Sequence, residues 1–275
     1  MPEELRIAIV TDVHHGPDRH GKRGGVALDL LARFVAEVNR SGVDLAVDLG
    51  DRISNVDMAT DRSNLADVAA VFRDLAAERH HLVGNHDVVN VSVDLQEAAL
   101  ATSLGHRSVD RGGWHLVFWN ASCELRPGEG FLLAERDLEW LESDLARTGL
   151  PSVVFSHMPF DEGSMVGNHY FERRYAGGER HKNARLARDI VERSEKVVLA
   201  VSGHVHWTTL NRMDGIPYIT LQSLSEAFTT HPHPAEAWAV LTLGEKIGFE
   251  VLGRDPMRFT LPVKRMGHHW LPPLR

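Results

Sequence analysis

What most constrains this 275-residue chain is a set of short apolar runs that each break into Gly, Asp, Asn or His. Residues 5–11 run into Asp12-Val13-His14, and residues 43–49 into Gly50-Asp51. His81-Leu82-Val83 runs into Gly84-Asn85-His86-Asp87, residues 152–155 into Ser156-His157, and residues 196–201 into Gly203-His204-Val205-His206. Short apolar runs bounded by turn formers predict buried strands. An Asn or Asp oxygen is a hard ligand and an imidazole carries a proton or a metal, so the same kind of chemistry recurs at strand ends.

Helical patterns separate the first three runs. Residues 26–40 place Leu30, Leu31, Phe34, Val35 and Val38 at helical spacing, and Ser41-Gly42 ends that pattern. A second helix is expected over residues 61–79. The first third therefore reads strand–helix–strand–helix–strand, and in open α/β sheets sites form at the carboxyl ends of the strands. Further on, a short helix is expected at 93–101, strands near 107–110 and 114–121, and a surface loop at 124–130. Residues 135–147 are amphipathic, with Leu138, Trp140, Leu141 and Leu145 as the buried face. Residues 160–178 have no period and read as a long loop over the site. A helix at 183–193 is followed by strands near 208–212, 218–221, 237–243 and 248–252, enough for a second sheet packed on the first. We divide the chain into a domain over residues 1–253 and a Pro- and Arg-containing tail over 254–275, which is expected to wrap the surface or contact a partner such as a second copy of the chain.

Composition narrows the functions. Apolar and charged fractions of 43% and 25% are those of a globular domain, and this length buries a sizeable core. A formal net charge of -8 argues against binding a nucleic-acid polymer or an anionic membrane. Cys123 is the single cysteine, so no intramolecular disulfide forms, and its expected role is a small buried apolar residue. No apolar run reaches spanning length and no secretory leader is evident, so a cytoplasmic enzyme is expected.

Together the strand ends offer three oxygen donors, Asp12, Asp51 and Asn85, and four imidazoles, His14, His157, His204 and His206. Mixed nitrogen and oxygen donors without thiolate suit Mn, Fe or Zn. Seven donors exceed the needs of one ion and suffice for two when a carboxylate bridges. Two metals about 3.5–4 Å apart share a hydroxide, lower the pKa of bound water toward roughly 7 and clamp phosphoryl oxygens. Asp12 and His14 are two apart, as are His204 and His206, so on extended backbone each pair points one way.

The ordered series Asp-x-His, Gly-Asp, Gly-Asn-His-Asp, His and Gly-His-x-His resembles the calcineurin-like metallophosphoesterase superfamily, over the span from Asp12 to His206. The resemblance implies an α/β fold, a four-layer α/β/β/α sandwich of two mixed sheets flanked by helices. It implies that Asp12, His14 and His206 hold one metal, that Asn85, His157 and His204 hold the other, and that Asp51 bridges them. His86 is implied to be the outer histidine that contacts phosphate and protonates the leaving group. One departure stands out: members often carry an Asp three residues after the bridging Asp to support that histidine, and here Ser54 stands there. His86 is then oriented by Asp87, by Asp57 or by nothing charged.

The chain is similar in size and in its Gly-Asn-His-Asp variant to the bacterial cyclic-nucleotide phosphodiesterase-like branch. The expected activity is hydrolysis of a small soluble phosphodiester, of cyclic-nucleotide or glycerophosphodiester type, by metal-bound hydroxide. Arg52, beside Asp51, is a candidate phosphate contact, and His169 and Arg173 in the long loop are candidate substrate contacts, with Tyr170, Phe171 and Tyr175 available to stack on a base. The alternatives are a phosphomonoesterase or nucleotide pyrophosphatase on the same scaffold, and a non-catalytic interaction module that has lost ligands; no ligand is missing here.

Overall fold

The computed structural model describes residues 4–263. In chain order these form β1 (Leu5–Val10), a 3-10 turn (Gly24–Val26), α1 (Ala27–Ser41), β2 (Leu45–Asp48), α2 (Met58–Arg73), β3 (Glu78–His81) and α3 (Val93–Leu100). There follow β4 (Arg107–Arg111), β5 (Trp114–Phe118), a hairpin of β6 (Leu125–Arg126) and β7 (Gly130–Phe131), α4 (Glu135–Arg147), β8 (Ser152–Ser156) and α5 (His169–Arg173). The last elements are α6 (Ala184–Ser194), β9 (Val197–Ser202), β10 (Thr209–Met213), β11 (Ile216–Thr220), β12 (Trp238–Leu243), β13 (Lys246–Leu252) and β14 (Met257–Pro262).

Two six-stranded sheets carry the fold, ordered β14-β13-β12-β1-β2-β3 and β10-β11-β9-β8-β5-β4. Each has a parallel heart, β1-β2-β3 in the first and β5-β8-β9-β11 in the second, with antiparallel strands at its flanks. Alternation along the strands builds the layers. Ile7, Ile9 and Val47 meet Leu116, Phe118, Phe155 and Val201 between the sheets. Ala8, Val10 and Ala46 on the opposite face of the first sheet pack under α1 and α2, and Val117, Val154 and Ala200 of the second pack under α4 and α6. The result is the α/β/β/α sandwich. The segments leaving the carboxyl ends of β1, β2, β3, β8 and β9 carry all seven candidate donors.

The expected loops at 124–130 and 160–178 carry short elements, β6 with the start of β7 in the first and α5 in the second, and the strand expected at 114–121 ends at Phe118. Two further differences shape the fold. The second helix occupies Met58–Arg73 rather than 61–79, because Asp57 caps it by accepting the Thr60 N–H at 2.9 Å. It stops early because Asn39 of α1 clamps the following turn, donating to Asp74 O and accepting from Ala76 N–H, each at 2.8 Å. β3 then pairs with β2 from Glu78 to His81, ahead of the apolar 81–83 run. The second correction is the tail: Met257–Pro262 is an edge strand paired with β13 along its length, and Leu261 is buried in the inter-sheet core. Its alternating Met-Arg-Phe-Thr-Leu-Pro pattern is that of a strand with one buried face. The rest of the expected tail, residues 264–275, lies outside the described residues, as does any partner contact it makes.

His80 of β3 stacks on Phe118 across the sandwich, with ring centroids 3.9 Å apart and planes at 9°. Burial, helped by the Arg107 charge, lowers its pKa to about 4. The unfolded chain takes up this proton near pH 6.5 and the folded chain only near 4, so this contribution to stability is complete above pH 6.5 and is lost as pH falls toward 4. The urea midpoint is expected to fall across that window, and to fall less steeply in His80→Phe, which keeps the stack and removes the titration.

Candidate metal centre

The loops that leave the parallel strands are strongly bent. Asp12, His14, Asp51, His204 and His206 all have left-handed backbone, with φ of 52°, 50°, 56°, 67° and 53°. The paired donors are thus not on extended backbone. Such φ values are uncommon for side-chain-bearing residues and persist where the surroundings enforce them. Here a lattice of short bonds does so. Asp12 N–H donates to Gly50 O and His14 N–H to Asp51 O, both at 2.9 Å. His204 N–H donates to Asp12 Oδ2 at 2.9 Å, and Ser223 Oγ to Asp12 O at 2.7 Å. Asp87 receives the backbone N–H groups of Asp51, Arg52 and Gly84 at 2.9, 2.9 and 3.0 Å. Gly84 is required by this approach, because a Cβ there would lie 2.1 Å from Asp51 Oδ1.

The donors fall into two groups that share one carboxylate. Asp12, His14, Asp51 and His206 bring ligand atoms within 4.8 Å of one another, and so do Asp51, His157 and His204. His14 Nε2 lies 3.0 Å from His206 Nε2 and 3.7 Å from Asp51 Oδ2. On the other side His157 Nε2 lies 3.5 Å from Asp51 Oδ2 and 3.2 Å from Asn85 Oδ1, which adds the amide to the second group. The outer nitrogens of three of the four imidazoles are engaged: His157 Nδ1 with Leu49 O at 2.9 Å, His204 Nε2 with Gly178 O at 2.8 Å, and His206 Nδ1 with Glu226 Oε2 at 3.1 Å, while His14 Nδ1 has no partner among the described residues. Those bonds set the rings and leave the inner nitrogens free to ligate.

The electrostatics fit cations. Asp12 Oδ1 is fully buried and has no hydrogen-bond partner, although it sits 3.0 Å from His206 Nε2. Burial would raise the Asp12 pKa, yet His206 and His14 hold it well below the usual carboxylate range. Burial likewise works to lower His157 and His206, but Asp51 pushes the first up to about 9, and Asp12 with Glu226 pushes the second up to about 9. Burial holds His14 and His204 down, so those two imidazoles stay neutral and available as ligands, while the carboxylates draw protons onto His157 and His206. The donor set is the nitrogen–oxygen mixture a dinuclear transition-metal centre uses.

Residues 5–208 match the family described as calcineurin-like phosphoesterase. The chain belongs to that family. No curated protein matches it in sequence. Among solved structures it is similar to a dimetal phosphatase from Danio rerio, at 16% identity and a TM-score of 0.75, covering 94% of this chain and 99% of the other. It is also similar to a purple acid phosphatase from yellow lupin (Lupinus luteus) seeds, at 14% identity and 0.66, covering 95% and 54%. A third likeness is to GAP50, the anchor in the inner membrane complex of Plasmodium, at 16% identity and 0.61, covering 95% and 89%. These likenesses share the fold. Among the described residues no helix is long and apolar enough to cross a membrane.

In this calcineurin-like phosphoesterase the centre opens onto a cavity of about 220 Å³, whose lining includes Ser54, Asn55 and His86 from loops of the first sheet and the aromatic residues Tyr170, Phe171, Tyr175 and Phe228. His86 Nδ1 meets Asn55 Oδ1, so the ring's partner is a neutral amide one residue beyond the Ser54 departure. Asp87 is occupied by backbone N–H groups and Asp57 by its helix cap, so neither orients the ring. Arg52 is a correction. Its side chain is fully buried and bonds to Asp48 Oδ2, Leu82 O and Gln96 Oε1 at 2.7, 2.7 and 2.8 Å, with Asp87 Oδ2 at 3.2 Å. It holds up the Asp51 loop from behind and does not line the cavity. His169 and Arg173 are exposed on α5 and do not line it either, because the inward face of that short helix carries Tyr170 and Phe171.

Two buried charged lining residues escaped the sequence reading. Glu226, buried behind His206, sits in a Gln-Ser-Leu-Ser-Glu-Ala stretch without motif; a carboxylate among small residues soon after a strand was the available signal. Lys22, bracketed by glycines in the loop after β1, is the other. The Arg52 assignment has a sharp test. Arg52→Met strands Asp48 and Asp87 as buried charges and is expected to lower the unfolding free energy by about 3–5 kcal/mol. A phosphate contact on the surface would instead weaken substrate binding and leave stability within about 0.5 kcal/mol.

Proposed function

We propose that this phosphoesterase hydrolyses a small phosphodiester with the aid of two transition-metal ions, Mn, Fe or Zn, as in the cyclic-nucleotide phosphodiesterase-like branch it resembles. Asp12, His14 and His206 would hold one ion, Asn85, His157 and His204 the other, and Asp51 both. Two such ions supply Lewis acidity toward phosphoryl oxygens and make water a nucleophile near neutral pH. The chain's own residues do the rest. Leu49 O, Gly178 O and Glu226 fix the outer nitrogens of His157, His204 and His206, so the inner nitrogens of those three converge without rearrangement. His86 lines the cavity with Nδ1 held on Asn55, which leaves Nε2 to bond a phosphoryl or leaving-group oxygen. Backed by a neutral amide, that ring suits leaving groups that need little protonation. Cys123 is buried and its thiol pushed up by burial, which leaves it no nucleophilic role.

The observation that supports the diester reading is the lining of the cavity: loops of the first sheet contribute Ser54, Asn55 and His86, and Tyr170, Phe171, Tyr175 and Phe228 add an aromatic wall, which offers contacts for a substituent as well as for a phosphate. The aromatic wall favours a substituent with a planar ring. Tyr170 and Phe228 lie nearly parallel, at 25° with centroids 6.4 Å apart, and Tyr175 lies 6.0 Å from Tyr170. Of the two substrate types, a cyclic nucleotide uses that wall and a glycerophosphodiester does not.

Turnover of bis-p-nitrophenyl phosphate beside p-nitrophenyl phosphate, in metal-reconstituted enzyme, tests the reaction class. The diester is expected to be preferred at least about tenfold, and Asn85→Ala to lose at least about a hundredfold on both; a monoester preference would put the phosphatase reading ahead. Competition between cyclic AMP and glycerophosphoethanolamine tests the aromatic wall. Tyr170→Ala is expected to shift their relative hydrolysis by about tenfold against the cyclic nucleotide, the usual worth of one stacked base.

A further inference from the structure

The loop between β1 and α1 is built to hold one ammonium in the cavity. Arg19 and Lys22 exchange backbone bonds, Arg19 N–H to Lys22 O at 3.1 Å and Lys22 N–H to Arg19 O at 3.0 Å. The two residues between them, His20 and Gly21, have φ of 54° and 95°, the signature of a tight two-residue hairpin turn. The turn is locked against the strand-end segment that carries Glu226: Arg23 N–H donates to Ser225 O at 2.9 Å and Ala227 N–H to Gly21 O at 3.2 Å. A Cβ at position 21 would lie 2.3 Å from Glu226 Oε1, so glycine is needed for the turn and for the approach.

What this construction presents is Lys22, only 9% exposed and lining the cavity beside Asp51, His86, His206 and Glu226. The carboxylates whose charge it feels are Asp51, Glu226 and Asp12. No ion pair holds its ammonium among the described residues, and Glu226 is taken up by His206. Two of those carboxylates are the ones offered to the ions. Once the ions are bound, Lys22 is a buried cation beside other cations, an arrangement that burial penalises unless an anion lies between them. The substrate's phosphate is such an anion.

We propose that Lys22 is a catalytic residue, its ammonium donating to a non-bridging oxygen of the phosphoryl group held at the metal centre. This rests on the phosphodiesterase reading and adds to it a protein-borne positive charge, supplied by the loop after β1. It takes the place sequence reasoning gave to Arg52, whose guanidinium is committed to Asp48 and Asp87. A fixed ammonium there also offsets part of the charge that builds on the phosphoryl oxygens as the ester bond breaks.

The test uses inorganic phosphate as the probe. Calorimetric titration of the metal-loaded enzyme should show phosphate bound at least about tenfold more weakly by Lys22→Met than by the unmutated protein, the worth of one charge-assisted hydrogen bond, with two metals per chain retained in both. The catalytic efficiency toward bis-p-nitrophenyl phosphate should fall with it. Equal phosphate affinity in the variant overturns the proposal, and so does loss of metal from it, which would make Lys22 a counter-charge for the carboxylates. A measurement on the unmutated protein guards against a misfolded variant: phosphate should protect Lys22 from an amine-reactive label read by mass spectrometry, and unchanged labelling would also refute the contact. If the unmutated, metal-loaded protein binds no phosphate and cleaves no diester, the underlying hydrolase reading fails as well. Binding by the wild type with no effect at Lys22 removes this proposal alone.

Discussion

The Asp51 carboxylate is the point on which the rest of the structure turns. It is the one side chain common to both donor groups, and it is buried between His14 on one side and His157 on the other. A buried carboxylate is stable only when its charge is answered, and the fold answers it in layers. The imidazoles and the His86 N–H meet its oxygens, Asp87 holds its backbone N–H, and Arg52 holds Asp87 in turn. The chain of contacts from Arg52 through Asp87 to Asp51 means that the centre is supported by a buried ionic network and not by loop packing alone.

That support explains why the strained backbone is tolerated. Left-handed φ at five donors concentrates unfavourable conformations at one sheet edge. Four of the five strands beneath, β1, β2, β8 and β9, are almost wholly buried and paired on both sides, so their loops start from rigid positions; β3 lies at the edge of its sheet. The two sheets bring their carboxyl ends to the same edge of the sandwich. Donors separated by 192 positions, such as His14 and His206, then come within 3.0 Å. Cavity walls are drawn from different loops of the same edge, which is why substrate preference can be set apart from the candidate metal ligands.

Much of this was legible in the sequence. The seven donors stood out because each follows a short apolar run, and that pattern is local. α1 and α4 were placed within a residue because their apolar spacing is regular. Where reading failed, the deciding contact was distant in sequence. The end of α2 is set by Asn39, and β14 is a strand because β13 is there to pair with it. Arg52 looked like a substrate contact because it neighbours Asp51; only the fold reveals that its side chain turns inward to Asp48. The His86 partner was sought among carboxylates and proved to be Asn55, an amide whose neighbours gave no sign of it. Glu226 lies beyond the last motif and meets His206 through the β11–β12 connection.

The most direct measurement is the metal content and anomalous diffraction of crystals loaded with manganese, for the protein and for Asp51→Asn. Two metal peaks are expected in the protein, one on each side of the Asp51 carboxylate, with one or both lost in the variant. A single peak, or two peaks that persist unchanged without the Asp51 charge, would contradict a centre bridged by that residue.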